Sequence, residues 1–129
     1  MDIIGNGVDI IKNSRINSSL RIKGFLKRIF TKNEIEQGKK LKNKINFYAK
    51  RFAAKEAFVK AIGTGFRSNI NFIDIEIKNY KNGKPYISLS KKLNNFLQKK
   101  FKIQKYKVFL SLSDEKDYSI AFVVIDKKI

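Results

Sequence analysis

The 129-residue sequence contains no cysteine, no histidine and no tryptophan, and it has a single proline. Without cysteine the chain has no disulfide bonds, no thiolate metal site and no cysteine nucleophile. Without histidine it lacks the commonest general base, so any chemistry must use carboxylates, lysines, tyrosines, hydroxyl groups or a bound metal. No segment approaches the roughly 20 apolar residues of a membrane span, and the N-terminus lacks a signal-peptide pattern. We therefore expect a cytoplasmic protein.

Acidic residues are also scarce, because 11 Asp and Glu stand against 29 Lys and Arg, for a formal net charge of +18. This charge favours a polyanionic partner, such as nucleic acid, anionic lipid, a phosphorylated cofactor or an acidic protein. Much of the excess is lysine mixed with asparagine and isoleucine, a bias that an A/T-rich genome also produces. The charge thus indicates a class of partner without identifying one.

The chain does contain enough apolar residues for a packed core, since 43% are hydrophobic and 11 are Phe. Its length suits one folding unit, and we predict a single domain over residues 1–129. Hydrophobic periodicity predicts a strand over 3–11, followed by a basic amphipathic helix that Ser18 or Ser19 caps and that runs to Phe30. A short helix follows the capping box Thr31 to Glu34, and a longer helix over 47–62 ends at Gly63. The rest of the chain is predicted to form a hairpin with strands over 72–78 and 85–90, a helix capped by Ser90, and a last hairpin with strands over 106–113 and 118–125.

Strands and helices in this order predict an α+β fold, with a mostly antiparallel sheet and helices packed on one face. Within the helix over 47–62, Glu56 and Lys60 are four residues apart and share one helix face. Asp9 is a lone carboxylate in an apolar strand. From the residues alone, the preferred explanation is a solvated ion pair for Glu56 and Lys60. For Asp9 it is a strand-end residue that caps a turn.

Five sequence blocks together resemble the bacterial holo-[acyl-carrier-protein] synthase family over the whole chain, in order and in spacing. An isolated Gly-Thr-Gly is a weak signal, but the long central block behind an N-terminal GVDI is highly specific. The blocks are GNGVDI from residue 5, FTKNEIE from 30, RFAAKEAFVKAIGTG from 51, NGKPYISL from 82 and LSLSDEKDYSIAFVVI from 110. The resemblance implies a phosphopantetheinyl transferase fold.

The resemblance also implies a reaction and a set of site residues. Asp9 and Glu56 match the metal-binding acids, which would hold Mg²⁺, and Lys60 matches a lysine that neutralises or protonates the leaving phosphate. These three are the implied catalytic residues. Residues implied to bind the substrate coenzyme A are Arg51, Lys55, Lys60, Gly63, Thr64, Gly65, Lys84, Pro85 and Ser113. For Arg51, Lys55 and the loop at Lys84, a solvated basic face and an ordinary hairpin are equally good explanations.

The implied enzyme moves phosphopantetheine from coenzyme A to a serine of apo-acyl carrier protein, releasing adenosine 3',5'-bisphosphate, a step of fatty acid biosynthesis. Such phosphoryl transfer depends mainly on positioning and on cationic stabilisation of charge, so a chain without histidine can carry it out. Either Glu56 or a metal-bound water would take the serine proton. At Asp114 the family usually has histidine, so the role of that histidine is open here.

The resemblance further implies an acidic carrier protein as partner and a homotrimer with active sites between subunits. The basic residues that match the family's carrier-protein docking pattern are Arg15, Arg21, Lys23, Lys27 and Arg28.

Three alternative functions remain compatible with the sequence. One is a small basic RNA-binding protein, although the chain lacks an RNP-type aromatic pattern and a GXXG clamp. The second is peripheral membrane binding through a basic amphipathic helix over residues 19–30. The third is a catalytically degenerate homologue.

Overall fold

The computed structural model describes residues 2–128 as five strands and five α-helices, with one short 3₁₀ segment between α4 and β2. In chain order the elements are β1 (Ile3–Lys12), α1 (Asn13–Ser19), α2 (Phe25–Ile29), α3 (Lys32–Lys39), α4 (Lys44–Ile62), the 3₁₀ segment (Phe72–Asp74), β2 (Ile75–Asn79), β3 (Pro85–Leu89), α5 (Lys91–Phe101), β4 (Lys105–Asp114) and β5 (Tyr118–Lys128).

The strands divide into two antiparallel groups. Strands β1, β5 and β4 form a three-stranded sheet in that order, and β2 pairs with β3 as a hairpin. Helix α4 packs on one face of the larger sheet, against β1 and β5. The predicted α+β class with antiparallel strands is therefore confirmed, with the strands in two groups instead of one continuous sheet.

Helix α4 lies unusually close to β1 because two glycines of that strand face it. A Cβ atom at Gly7 would lie 2.0 Å from the Ala57 carbonyl oxygen, and one at Gly5 would lie 2.0 Å from the Ala61 carbonyl oxygen. No side chain fits in such a gap, so the strand backbone rests directly on the helix backbone. Alanine at Ala57 and Ala61, both almost fully buried, keeps the helix side of the contact equally small.

Several local predictions are confirmed. Thr31 and Glu34 form the capping box of α3, in which the Glu34 N–H donates to the Thr31 hydroxyl and the Thr31 N–H donates to the Glu34 carboxylate. The Ser90 hydroxyl caps α5 by accepting from the Leu93 N–H. Gly63 ends α4 in a left-handed conformation, with φ of 77°.

The predicted basic amphipathic helix from Ser18 to Phe30 is wrong. Helix α1 instead ends at Ser19, and Gly24, with φ of 86°, separates it from the short helix α2. Gly24 and the turn before it interrupt the i→i−4 backbone hydrogen bonds of the single helix that the apolar spacing predicted. A continuous membrane-binding helix over residues 19–30 therefore does not exist in this fold.

Two boundaries also differ from the prediction. Helix α4 begins at Lys44, three residues early, because the Asn43 side chain caps it by accepting from the Asn46 N–H. The alternating run from residue 72 begins as the 3₁₀ segment, because the Asp74 carboxylate accepts from the Asn71 N–H and the Ser90 hydroxyl. Within residues 2–128, no helix combines the length and hydropathy that a membrane crossing requires.

We predict that Gly7→Ala costs about 3 kcal/mol or more of unfolding free energy, because the new methyl group collides with the α4 backbone. Urea denaturation monitored by circular dichroism measures this. Gly24→Ala is the matched control: nothing lies within 4 Å of its Cβ position, so only the left-handed backbone resists the change, at a cost of about 1–2 kcal/mol. Equal losses in the two variants would contradict the close contact.

Candidate active site

Asp9 lies on the helix-facing side of β1, with 16% of its side chain exposed. Strand alternation places it on the same face as Gly7 and Ile11, and its neighbour across β5 is Ala121. The small residues around it allow the carboxylate to reach the side of α4. Asp9 is therefore positioned by the same close contact that packs β1 on the helix.

Lys60 and Glu56 meet Asp9 from the last turns of α4. The Lys60 ammonium group donates to Asp9 Oδ1 at 3.0 Å and to the Val8 carbonyl oxygen at 3.0 Å, while 53% of its side chain is exposed. Burial raises the pKa of the Glu56 carboxyl group, and the negative charge of Asp9 raises it further, against the opposing effect of Lys60. The three predicted catalytic residues thus form one electrostatically coupled cluster.

A hard divalent cation suits this cluster. Asp9 and Glu56 supply carboxylate oxygens, the donors that Mg²⁺ prefers, and their mutual repulsion would be relieved by a positive ion between them. Within residues 2–128, no group of three or more His, Cys, Asp or Glu side chains is close enough to enclose a metal. The donor set therefore fits an ion that keeps other oxygen ligands.

The Gly63-Thr64-Gly65 loop follows the end of α4, and the N–H groups of both glycines donate within the chain. The Gly63 N–H donates to the Lys60 carbonyl oxygen, and the Gly65 N–H donates to the Val59 carbonyl oxygen. Both amides close the C-terminus of α4. A phosphate contact through the loop therefore stays a prediction.

Arg51, Lys84 and Pro85 line one pocket of about 370 Å³ between α4, the β2–β3 loop and β4. Arg51 is only 4% exposed and donates to Asn79 Oδ1 at 2.8 Å, while its Nε has no hydrogen-bond partner among residues 2–128. Burial lowers the pKa of this guanidinium from its usual high value. Three predicted cofactor-binding residues, distant in sequence, therefore share a basic pocket.

Lys55 is not available to a cofactor, and its predicted phosphate contact is wrong. The side chain is fully buried, and its ammonium group donates to Glu34 Oε1 at 2.7 Å and to the Ile29 carbonyl oxygen at 2.7 Å. Burial lowers the pKa of Lys55, and Glu34 opposes that effect. Because the Glu34 carboxylate also accepts from the Ile77 N–H, the pair joins α3, α4 and β2.

Ser113 faces the opposite side of the sheet from α4, beside Ile10 and Ile120. It does not line the pocket that contains Arg51. Its neighbour Asp114 accepts from the Asn46 side-chain amide at 2.7 Å and pairs with Lys50 at 3.3 Å. The carboxylate is thus held by two donors of α4.

The five predicted docking residues are exposed along the segment from α1 to α2. Arg15 lies on α1, Arg21 and Lys23 lie in the turn, and Lys27 and Arg28 lie on α2. The broken helix therefore presents its basic residues on two short helices and the turn between them.

Four polar residues around these sites were missed by the sequence reasoning. Gln37 and Asn79 accept from Arg51, and Asn46 and Lys50 hold Asp114. Each partner lies on a different element from the residue that it contacts, so no spacing rule could identify it. Only Lys50, beside Arg51 in a basic run, carried a signal in the sequence.

Comparison with known proteins defines the class of the chain. The model of the 4'-phosphopantetheinyl transferase superfamily matches residues 5–123, so the chain belongs to that superfamily. Its relatives within the superfamily are holo-[acyl-carrier-protein] synthases. That of Pelagibacter ubique is 54% identical, with 99% of this chain and 100% of the relative covered. That of Ehrlichia chaffeensis is 47% identical over 95% of this chain and 96% of the relative.

Solved structures agree with this assignment. The holo-[acyl-carrier-protein] synthase of Neisseria meningitidis is 38% identical and superimposes with a TM-score of 0.86, covering 97% of this chain and 99% of the other. The synthase of Bacillus anthracis, solved in complex with CoA (3',5'-ADP), is also 38% identical with a TM-score of 0.82, covering 99% and 100%. The predicted family and fold are confirmed.

We predict that Lys55→Met lowers the unfolding free energy by about 3–5 kcal/mol, because it leaves the Glu34 carboxylate buried without its counter-charge. Denaturant unfolding measures the loss. Lys39→Met is the control, since it removes an exposed Lys–Glu pair of the kind that contributes about 1 kcal/mol or less. A stable Lys55→Met variant with only weakened coenzyme A binding would restore the cofactor role.

Proposed function

We propose that this chain is a holo-[acyl-carrier-protein] synthase that transfers phosphopantetheine from coenzyme A to a serine of apo-acyl carrier protein. The observation that carries the proposal is the cluster of Asp9, Glu56 and Lys60, in which Lys60 contacts Asp9 at 3.0 Å. Its full-length relatives, which are holo-[acyl-carrier-protein] synthases, support the same activity. We place the reaction in the cytoplasm and in fatty acid biosynthesis.

The chain's own residues supply positioning and charge for the transfer. The serine oxygen attacks the phosphorus next to the pantetheine arm, and the bond to adenosine 3',5'-bisphosphate breaks. Glu56, a carboxylate of the same cluster, takes the serine proton. Lys60, half exposed beside Asp9, stabilises the negative charge that develops on the leaving phosphate.

Asp9 and Glu56 would hold Mg²⁺, which supplies a positive charge to phosphate oxygens when bound. The coenzyme A nucleotide would lie near Arg51, Lys84 and Pro85, the basic pocket described above. Gly63, Thr64, Gly65 and Ser113 are further proposed contacts to the cofactor. Ser113 lies on the outer face of the sheet, so it would contact a cofactor bound to a neighbouring subunit. An RNA-binding function has no comparable support, since the superfamily match extends over residues 5–123.

The acidic carrier protein would dock on Arg15, Arg21, Lys23, Lys27 and Arg28. All five are exposed on one continuous chain segment, so they form a positive surface. Opposite charge would accelerate encounter and fix orientation more than it would increase affinity.

A homotrimer would cover the outer face of the larger sheet. That face carries exposed apolar side chains in register, with Val8 beside Phe122 and Ile10 beside Ile120. Ile10 is 62% exposed and Phe122 is 45% exposed. A row of exposed branched and aromatic residues on a sheet face is typical of an interface.

Mass spectrometry of apo-acyl carrier protein, incubated with this protein, coenzyme A and Mg²⁺, tests the function directly. We expect a mass gain of one phosphopantetheine, abolished by EDTA. Glu56→Gln should lower the rate by on the order of 100-fold or more, because the base and a metal ligand are lost. Glu36→Gln, on the exposed face of α3, should have no effect. A folded wild-type protein that modifies no apo carrier protein would refute the enzyme function.

We predict that ionised Glu56 lowers the folding stability of the protein, although it supports activity. Its raised pKa means that the ionised form is disfavoured in the fold, so ionisation of Glu56 costs stability as the pH rises, and this cost disappears below the ordinary carboxyl pKa of about 4.3. In EDTA, Glu56→Gln should therefore melt at a higher temperature than wild type at pH 7, with a smaller difference at pH 4. Added Mg²⁺ should raise the melting temperature of wild type only. An equal Mg²⁺ effect on both proteins would exclude Glu56 as a ligand.

Phe122→Lys is predicted to convert the proposed trimer to monomers. Each of the three subunits would bury one lysine charge in the apolar interface, without a counter-charge. Size-exclusion chromatography with light scattering measures the mass, which should fall threefold. Leu41→Lys places the same charge at an exposed apolar residue away from the sheet and should leave the trimer intact. A wild-type monomer, or a trimeric Phe122→Lys, would contradict this interface.

A further inference from the structure

Asp114 has both carboxylate oxygens occupied by donors of helix α4. The Asn46 side-chain amide donates to Oδ2 at 2.7 Å, and the Lys50 ammonium group lies 3.3 Å from Oδ1. The Asp114 and Lys50 side chains are 29% and 30% exposed, so the pair is partly screened from water. Asp114 therefore restricts where the Lys50 ammonium group lies.

Lys50 also lines the pocket of about 370 Å³ that contains Arg51 and Lys84. The lining includes three cationic side chains and no Asp or Glu; besides these cations it consists of Asn79, Gly83, Pro85, Leu110, Ser111 and Leu112. Among residues 2–128 Arg51 forms no ion pair, and its buried Nε lacks a hydrogen-bond partner. The pocket thus has a concentrated positive charge and an unused buried donor.

We propose that Lys50 is a further phosphate-binding residue of this pocket, that Asp114 is the positioning residue that holds it there, and that the group bound is the 3'-phosphate of coenzyme A. This inference rests on the proposed function. The diphosphate is assigned to Asp9, Glu56 and Lys60, none of which lines the pocket. The remaining phosphate is a monoester with a charge of about −1.5 to −2 at neutral pH, and it matches three cations.

The pairing also explains how an aspartate is accommodated near an anionic ligand. An isolated Asp114 would repel a phosphate, whereas Asp114 with its charge matched by Lys50 orders a cation at the pocket. Asp114 as a positioning residue and Asp114 as a repelling charge predict opposite effects when its charge is removed. Loss of a positioning residue weakens coenzyme A binding, while loss of a repelling charge strengthens it.

The experiment measures dissociation constants by calorimetry for coenzyme A and for 3'-dephospho-coenzyme A. Lys50→Met should weaken coenzyme A binding about tenfold and leave dephospho-coenzyme A within about twofold, since a charge-assisted phosphate contact is lost. Asp114→Asn should weaken coenzyme A binding about threefold alone and have no further effect in the Lys50→Met background. Both variants should fold, because a partly exposed pair contributes little to stability.

Lys92→Met is the matched control for net charge. Lys92 pairs with Asp74 at 3.1 Å and lies outside the pocket, so its loss should leave both dissociation constants unchanged. The proposal is overturned if Lys50→Met changes both ligands equally, or if Asp114→Asn tightens coenzyme A binding. In either case wild type would still modify acyl carrier protein. A wild-type protein that neither binds coenzyme A nor modifies the carrier would instead refute the proposed function, and this inference with it.

Discussion

The direct backbone contact between β1 and α4 is the constraint on which the rest of the structure depends. Gly5 and Gly7 let the strand rest on the carbonyl groups of Ala61 and Ala57, where any side chain would collide. The same contact places Asp9, two residues after Gly7, within reach of Lys60. One short segment of strand therefore makes the packing contact and positions Asp9, which ties the stability of the fold to the geometry of the cluster.

Helix α4 serves both the core and the sites because its faces have different roles. Its alanines pack on the sheet, and Lys55 forms the buried ion pair with Glu34 that joins α3 and β2 to it. Glu56 and Lys60 face the Asp9 cluster, whereas Lys50 and Arg51 face the basic pocket. Because neighbouring residues on a helix point about 100° apart, Lys55 is buried beside Glu34 while the adjacent Glu56 interacts with the charge of Asp9.

Capping preferences and hydrophobic periodicity predicted most helices and strands. The N-caps at Thr31 and Ser90 and the end of α4 at Gly63 depend only on a few neighbouring residues. The rules failed at Gly24, because apolar periodicity continued across a residue whose backbone breaks the helix. Matching motifs to the family indicated Asp9, Glu56 and Lys60, but could not separate the buried Lys55 from a ligand-binding lysine. Burial and the partners of Arg51 and Asp114 arise from tertiary contacts, which sequence spacing does not encode.

We propose that packing of β1 on α4 places Asp9 and Glu56 where the two carboxylates bind one divalent cation together. Anomalous diffraction from crystals soaked in Mn²⁺ is the decisive measurement, because the signal locates the ion independently of activity. We expect one strong peak within coordination distance of both carboxylates, with Lys60 beside it. A peak elsewhere, or Asp9 still paired only with Lys60 at saturating Mn²⁺, would contradict it.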